Sequence, residues 1–142
     1  MEASAPFSYE ARLVRIIDGD TCVLTLLKKW HLDFGFKFTT IHDAALVVTL
    51  RMYGYNCTEL HDKDPSLVAR AKAAKVALGE LLAQGTLRVE SVKTGEETVD
   101  KFGRYLARIF VKPADGAEFE VGPKMIEMGH ALPYFGVGPK PV

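Results

Sequence analysis

The sequence predicts a mainly β fold with helices (α+β): a closed, strongly twisted antiparallel barrel carrying one long and one short helix. Three observations predict it. Apolar, β-branched runs are short and separated by turns bearing Gly, Asp and Asn. One long helical pattern falls after the first group of strands. Strand and helix do not alternate regularly, which argues against a parallel sheet.

Each element has its own signal. Arg12 to Ile17 is rich in Val and Ile and reads as a strand. Asp18-Gly19-Asp20 is a turn, and Thr21 to Leu27 is a second strand. Trp30 to Phe38 places Phe34, Phe36 and Phe38 at period two, the pattern of one packed face of a strand. A stacking platform for bases or a self-association surface is the alternative reading of that stripe. Ala45 to Tyr53 is an apolar strand interrupted by Arg51. Asp64 is a helix cap followed by Pro65, the first helical position where Pro is best tolerated. Leu67, Ala71, Ala74, Leu78 and Leu81 then recur at helical spacing, so a helix is predicted from Pro65 to Ala83, with Gly85 as its stop. Strands follow at Leu87 to Val92 and Tyr105 to Val111. After the Asp115-Gly116 turn come a strand at Phe119 to Val121 and a short helix at Pro123 to Met128, ended by Gly129. The whole chain, 1–142, reads as one domain with a core at about 9–135 and an irregular tail at 136–142, the Gly- and Pro-rich irregular stretch starting at Pro133.

Composition narrows the function. With 48% hydrophobic residues the chain has enough apolar material for a core and too much for disorder. No apolar run reaches the length of a membrane span, and no secretory leader is visible, so a cytoplasmic protein is expected. Lys plus Arg total 18 and Asp plus Glu total 18, a balance unlike that of a protein that coats nucleic acid along its length. Any contact with nucleic acid should therefore be local. Cys22 and Cys57 form no Cys-x-x-Cys motif and are expected to be buried free thiols. The four histidines share no metal-ligand spacing, and the adjacent pair His61-Asp62 reads as solvated.

The chemistry sits in three segments: Ile17 to Thr21, Arg51 to Glu59, and Asp100 to Arg104. Asp18 and Asp20 offer carboxylates to a hard cation, or simply build a turn. Arg51 is a charge inside an apolar strand, which needs either an ion-pair partner or an anion. Asn56 adds an amide oxygen, Glu59 a carboxylate, and Gly103 a sharp turn that presents Arg104.

Taken in order, Ile-Asp-Gly-Asp-Thr, Arg-x-x-Gly-x-Asn-x-x-Glu and Asp-Lys-Phe-Gly-Arg-Tyr-Leu-Ala resemble the signature blocks of the staphylococcal-nuclease-like (thermonuclease) family, from about Leu13 to Tyr134. The resemblance implies an OB-fold, a five-stranded barrel packed against one long and one short helix. It also implies Ca²⁺-dependent endonucleolytic hydrolysis of DNA and RNA with little sequence specificity, single-stranded substrate being preferred. Another divalent cation is an alternative to Ca²⁺. Carried over by residue, Arg51 and Arg104 grip the phosphate and Glu59 is the general base. Asp20, Asn56 and the Cys57 backbone carbonyl ligate the metal, with Asp18 in support. Lys101, Phe102 and Tyr134 contact the neighbouring nucleotide. The family pattern has Asp at the position of Asn56, so the metal site here carries one charge less. Cys57-Thr58 also replaces the usual small residue and Pro, and the stretch from Lys28 to Ala44 is a longer insertion between two barrel strands. A monomer or weak homodimer without membrane contact is expected. A catalytically impaired OB-fold nucleic-acid-binding module is the alternative function.

Overall fold

Two long antiparallel pairings set the frame. In this computed structural model, which describes residues 8–57, 64–92 and 105–135, β1 (Ser8–Asp18) pairs with β2 (Thr21–Asp33) from Glu10↔Leu27 to Asp18↔Thr21. β2 then pairs with β3 (Thr39–Met52) in one register from Thr21↔Arg51 to Asp33↔Thr39. A short β4 (Gly54–Asn56) and the helix α1 (Pro65–Leu82) follow. β5 (Gly85–Ser91) lies against the free side of β1, and β6 (Tyr105–Pro113) lies beside β5. Closure comes from β6 running parallel to β3 over Leu50↔Tyr105 to Met52↔Ala107. The result is the expected five-stranded barrel with two helices. β7 (Phe119–Glu120) extends the edge of β6 and leads into α2 (Val121–Glu127), and β8 (Leu132–Tyr134) pairs with β4.

The core follows from strand alternation. In β6, Ala107, Ile109 and Val111 are buried while Arg108 and Lys112 point out. Leu24, Leu50 and Val89 join them inside the barrel, and Leu78, Leu81 and Met125 come from the helices. Each such side chain contributes about 1.5–3 kcal/mol by leaving water.

α1 begins as predicted, with the Asp64 carboxylate accepting the Ser66 N–H at 2.9 Å and Pro65 in the first turn. Its buried stripe contains Ala71, Ala74, Leu78 and Leu81. The small Ala74 matters most for the site. A Cβ on Gly19 would lie 2.7 Å from the Ala74 Cβ and 2.8 Å from the Cys57 Sγ, so helix, turn and loop meet where only glycine fits.

Several sequence expectations shift. Gly85 opens β5 rather than capping the helix, and a Cβ there would meet the Lys112 carbonyl oxygen at 2.1 Å. α2 begins at Val121, ahead of the expected Pro123, and Gly129 ends it with φ +81°. β8 includes Pro133 and Tyr134, where an irregular stretch was expected to begin at Pro133, and the tail at 136–142 lies outside the described residues. Trp30 to Phe38 is not one packed strand: β2 ends at Asp33, whose carboxylate accepts the Gly35 N–H at 2.8 Å to turn the chain. Phe34, Phe36 and Phe38 therefore sit exposed at the tip of a long hairpin. Cys22 and Cys57 are buried free thiols, as expected.

Candidate active site

The β1–β2 turn, the end of β3 and the start of β4 converge on one buried cluster. Asp20 and Arg51 are each only 7% exposed, in a setting where an unpaired charge costs several kcal/mol. Register puts them together: Thr21 faces Arg51 across the β2–β3 ladder, and the Met52 N–H donates to the Asp20 carbonyl at 2.8 Å. Arg51 Nη1 donates to the Met52 carbonyl at 2.7 Å and the Tyr55 carbonyl at 3.0 Å. Its Nη2 donates to Asn56 Oδ1 at 3.0 Å and lies 3.6 Å from Asp20 Oδ2. Gly54, at φ +100°, lets the chain turn sharply enough for the Tyr55 carbonyl and Asn56 amide to return over the guanidinium.

Asp20 is held equally firmly. Its Oδ2 accepts the Cys57 N–H at 3.0 Å, and its Oδ1 accepts the Thr21 hydroxyl at 3.1 Å. Tyr55, fully buried, donates its hydroxyl to the Gly19 carbonyl at 2.9 Å and so braces the turn that presents Asp20. Asp18 Oδ1 accepts the Asp20 N–H at 3.1 Å. Burial, and next the neighbouring Asp20 carboxylate, push the Asp18 carboxyl up to about 6. Burial likewise pushes the Cys57 and Cys22 thiols up to about 12, which keeps both as neutral thiols.

Of the residues singled out in the sequence, Asp18, Asp20, Arg51, Asn56 and Cys57 are brought together. Cys57 contributes its N–H to Asp20 and buries its side chain. Tyr134 lies on β8 opposite Gly54, next to the loop but on its far strand. Beside it, the Phe135 ring meets Tyr53 edge-on at 5.5 Å. Glu59, Lys101, Phe102 and Arg104, with His61 and Asp62, lie outside the described residues. The chain rejoins β6 at Tyr105, and Leu106 is the ladder partner of Arg51, so the third motif leads directly into the strand beside the buried guanidinium.

The donors present suit a hard cation in kind but not in charge. Asp20 and Asn56 offer oxygens, yet the Asp20 carboxylate is already opposed by Arg51. Among the described residues no group of three or more His, Cys, Asp or Glu is placed to hold a metal. Sequence reasoning missed Tyr55 and Thr21. The signal available for Tyr55 was a large aromatic set directly between Gly54 and Asn56.

The closed five-stranded barrel with this charged cluster at one end defines a nuclease-type OB domain. The family model described as staphylococcal nuclease homologue matches residues 49–141, more than half of the 142-residue chain, and the protein belongs to that family. Comparison with curated proteins gives no match. The matched span begins at Thr49, after Asp18 and Asp20, and the Arg51–Asp20 contact is one of several that join the two parts. Among the described residues no helix is long and apolar enough to cross a membrane.

Proposed function

We propose that the protein is a metal-dependent phosphodiesterase that cuts DNA and RNA with little sequence specificity. The observation that carries this reading is the buried Arg51. Among the described residues, three of its five N–H donors are bound to Met52, Tyr55 and Asn56, and Asp20 Oδ2 lies 3.6 Å from Nη2, so the fork is oriented in advance for a phosphate. Holding a guanidinium rigid where phosphate charge grows is the main requirement for this reaction. In this reading Arg104 supplies a second fork and Glu59 takes the proton of the attacking water. Lys101, Phe102 and Tyr134 contact the next nucleotide.

Asp20, Asn56 and the Cys57 carbonyl would hold Ca²⁺ or a similar divalent ion, with Asp18 supporting Asp20. Bound there, the ion would polarise the phosphate. One carboxylate countered by an arginine gives a site of low charge, so affinity should be weak. The test is digestion of single-stranded DNA and of RNA in excess Ca²⁺ and in chelator. Cleavage in Ca²⁺ alone supports the proposal. Binding without cleavage under both conditions would instead identify a non-catalytic nucleic-acid module.

A further inference from the structure

The hairpin formed by β2 and β3 outgrows the barrel. Pairing of β1 with β2 stops at Glu10↔Leu27, and pairing of β6 with β3 covers only Leu50 to Met52. From Lys28↔Ala44 to Asp33↔Thr39 each strand has, among the described residues, only the other as a partner. That arm is about 20 Å long, and a lone two-stranded ribbon is marginal in water.

Its two faces differ. The outer face carries the Lys29–Asp43 ion pair, and beyond it His31 opposite Ile41. The inner face continues the barrel's core stripe out into solvent: Leu24 and Leu26 lead past Lys28, whose Nζ lies over the Tyr9 ring, to Trp30, Leu32 and the Phe34–Phe38 tip, with Ala44, His42 and Thr40 opposite on β3. Phe36 is 76% exposed, and its ring stacks on Phe38 at a centroid distance of 6.0 Å. At the base of the same arm lies an apolar cavity of about 370 Å³, bounded by Leu26, Leu46 and Val48 on the arm side and Tyr9, Val89 and Leu106 on the barrel side. A dry cavity of roughly 150 Å³ already accepts a benzene ring.

The geometry points to a second copy of this chain as the occupant. Two copies lie with their arms antiparallel, inner face to inner face about a two-fold axis, and the aromatic tip of each fills the cavity at the base of the other. Tip and cavity sit at opposite ends of one arm, so a single two-fold operation satisfies both contacts and closes the assembly. The exposed aromatic and aliphatic side chains of the arm offer on the order of 600 Å² per copy, or about 1,200 Å² in total, which reaches the range of specific interfaces. A net charge of zero leaves no long-range repulsion between copies.

Sedimentation velocity over a wide concentration range tests this. The unmodified chain should dimerise. Phe36→Asp and Leu46→Glu, both at exposed positions, should each weaken association at least tenfold with unchanged circular dichroism. An equimolar mixture of the two should regain association, because one intact tip–cavity contact survives in the mixed pair. If Leu46→Glu does not fold, Ala44→Arg at the exposed lip of the cavity takes its place. A chain that stays monomeric throughout, or a Phe36→Asp variant that still dimerises, overturns the inference. So does a mixture that associates no better than either variant, which would mean tip packed on tip. Binding of the monomer to phosphatidylcholine vesicles through Phe36, without self-association, would also overturn it.

Discussion

The two ends of the β2–β3 pair share one ladder yet follow opposite burial rules. At the Thr21↔Arg51 end, an arginine and an aspartate are enclosed, each held by several hydrogen bonds. At the Asp33↔Thr39 end, three phenylalanines stand in solvent. Residue type does not explain this, because both ends combine apolar and polar residues. Closure of the barrel does. β1, β6 and α1 cover the first end, so polar groups there must be paired internally, whereas nothing among the described residues covers the second. Burial here is a property of neighbours contributed from far along the chain.

The largest expected effect is at the enclosed end. Arg51→Ala should lower the cleavage rate by about 10³- to 10⁵-fold if the guanidinium acts on the phosphate. It should also lower stability by about 3–5 kcal/mol, because Asp20 is left buried without its partner. Rate and denaturant midpoint measured on the same preparation separate the two effects. Arg51→Lys keeps the charge and loses the fork, and should recover stability more than rate. Lost stability with an untouched rate would make Arg51 a structural residue only.

Gly19→Ala comes next, at about 1–3 kcal/mol in urea unfolding, since the added methyl meets Ala74 and Cys57 closer than van der Waals contact allows.

Asp18 gives a smaller, pH-dependent effect. Its carboxyl titrates at about 6 in the folded protein against an ordinary 3.8. Between those values the folded state holds a proton that the unfolded chain has released. Asp18 therefore makes stability fall as pH rises from about 4 to about 6, after which the penalty is constant. Asp18→Asn stays neutral and keeps an acceptor for the Asp20 N–H. It should match the parent near pH 4 and exceed it by about 1 kcal/mol at pH 7, after allowance for partial exposure. Thermal melts at the two pH values read this directly.

The smallest effect belongs to the uncovered end. Phe36→Ser should change monomer stability by no more than about 0.5 kcal/mol, measured at low protein concentration. A large loss would show that the tip is covered within one chain, and the contrast between the two ends would collapse.

How much of this was legible in the sequence divides along the same line. Local signals sufficed for α1, where Asp64, Pro65 and the alanine–leucine stripe act within a few residues. They sufficed too for the barrel stretches at residues 12–17, 21–27 and 45–52, whose β-branched content is self-evident, but not for the extension of β1 back to Ser8, of β2 on to Asp33 and of β3 back to Thr39. The order of the three motifs pointed to the cluster of Asp20, Arg51, Asn56 and Cys57. Features that depend on distant partners were not legible. Period-two phenylalanines read the same in a strand as at a hairpin tip, and only the missing neighbours decide between them. β8 contains Pro133, a residue without an N–H, and exists because β4 offers it a ladder. The role of Tyr55 was not legible because its partner, Gly19, lies 36 residues away. The raised titration point of Asp18 likewise arises from enclosure, which no stretch of sequence displays.

The buried thiols have a practical consequence. Cys22 is 0% exposed on β2 and Cys57 is 4% exposed beside Asp20, and both stay protonated at neutral pH. Thiolates, not thiols, are what alkylating reagents attack. Each sulfur is therefore silent until its surroundings open, and modification proceeds at the rate at which that opening occurs. The two cysteines form a built-in pair of clocks, Cys57 timing the release of the loop that follows Arg51 and Cys22 timing the parting of the barrel wall.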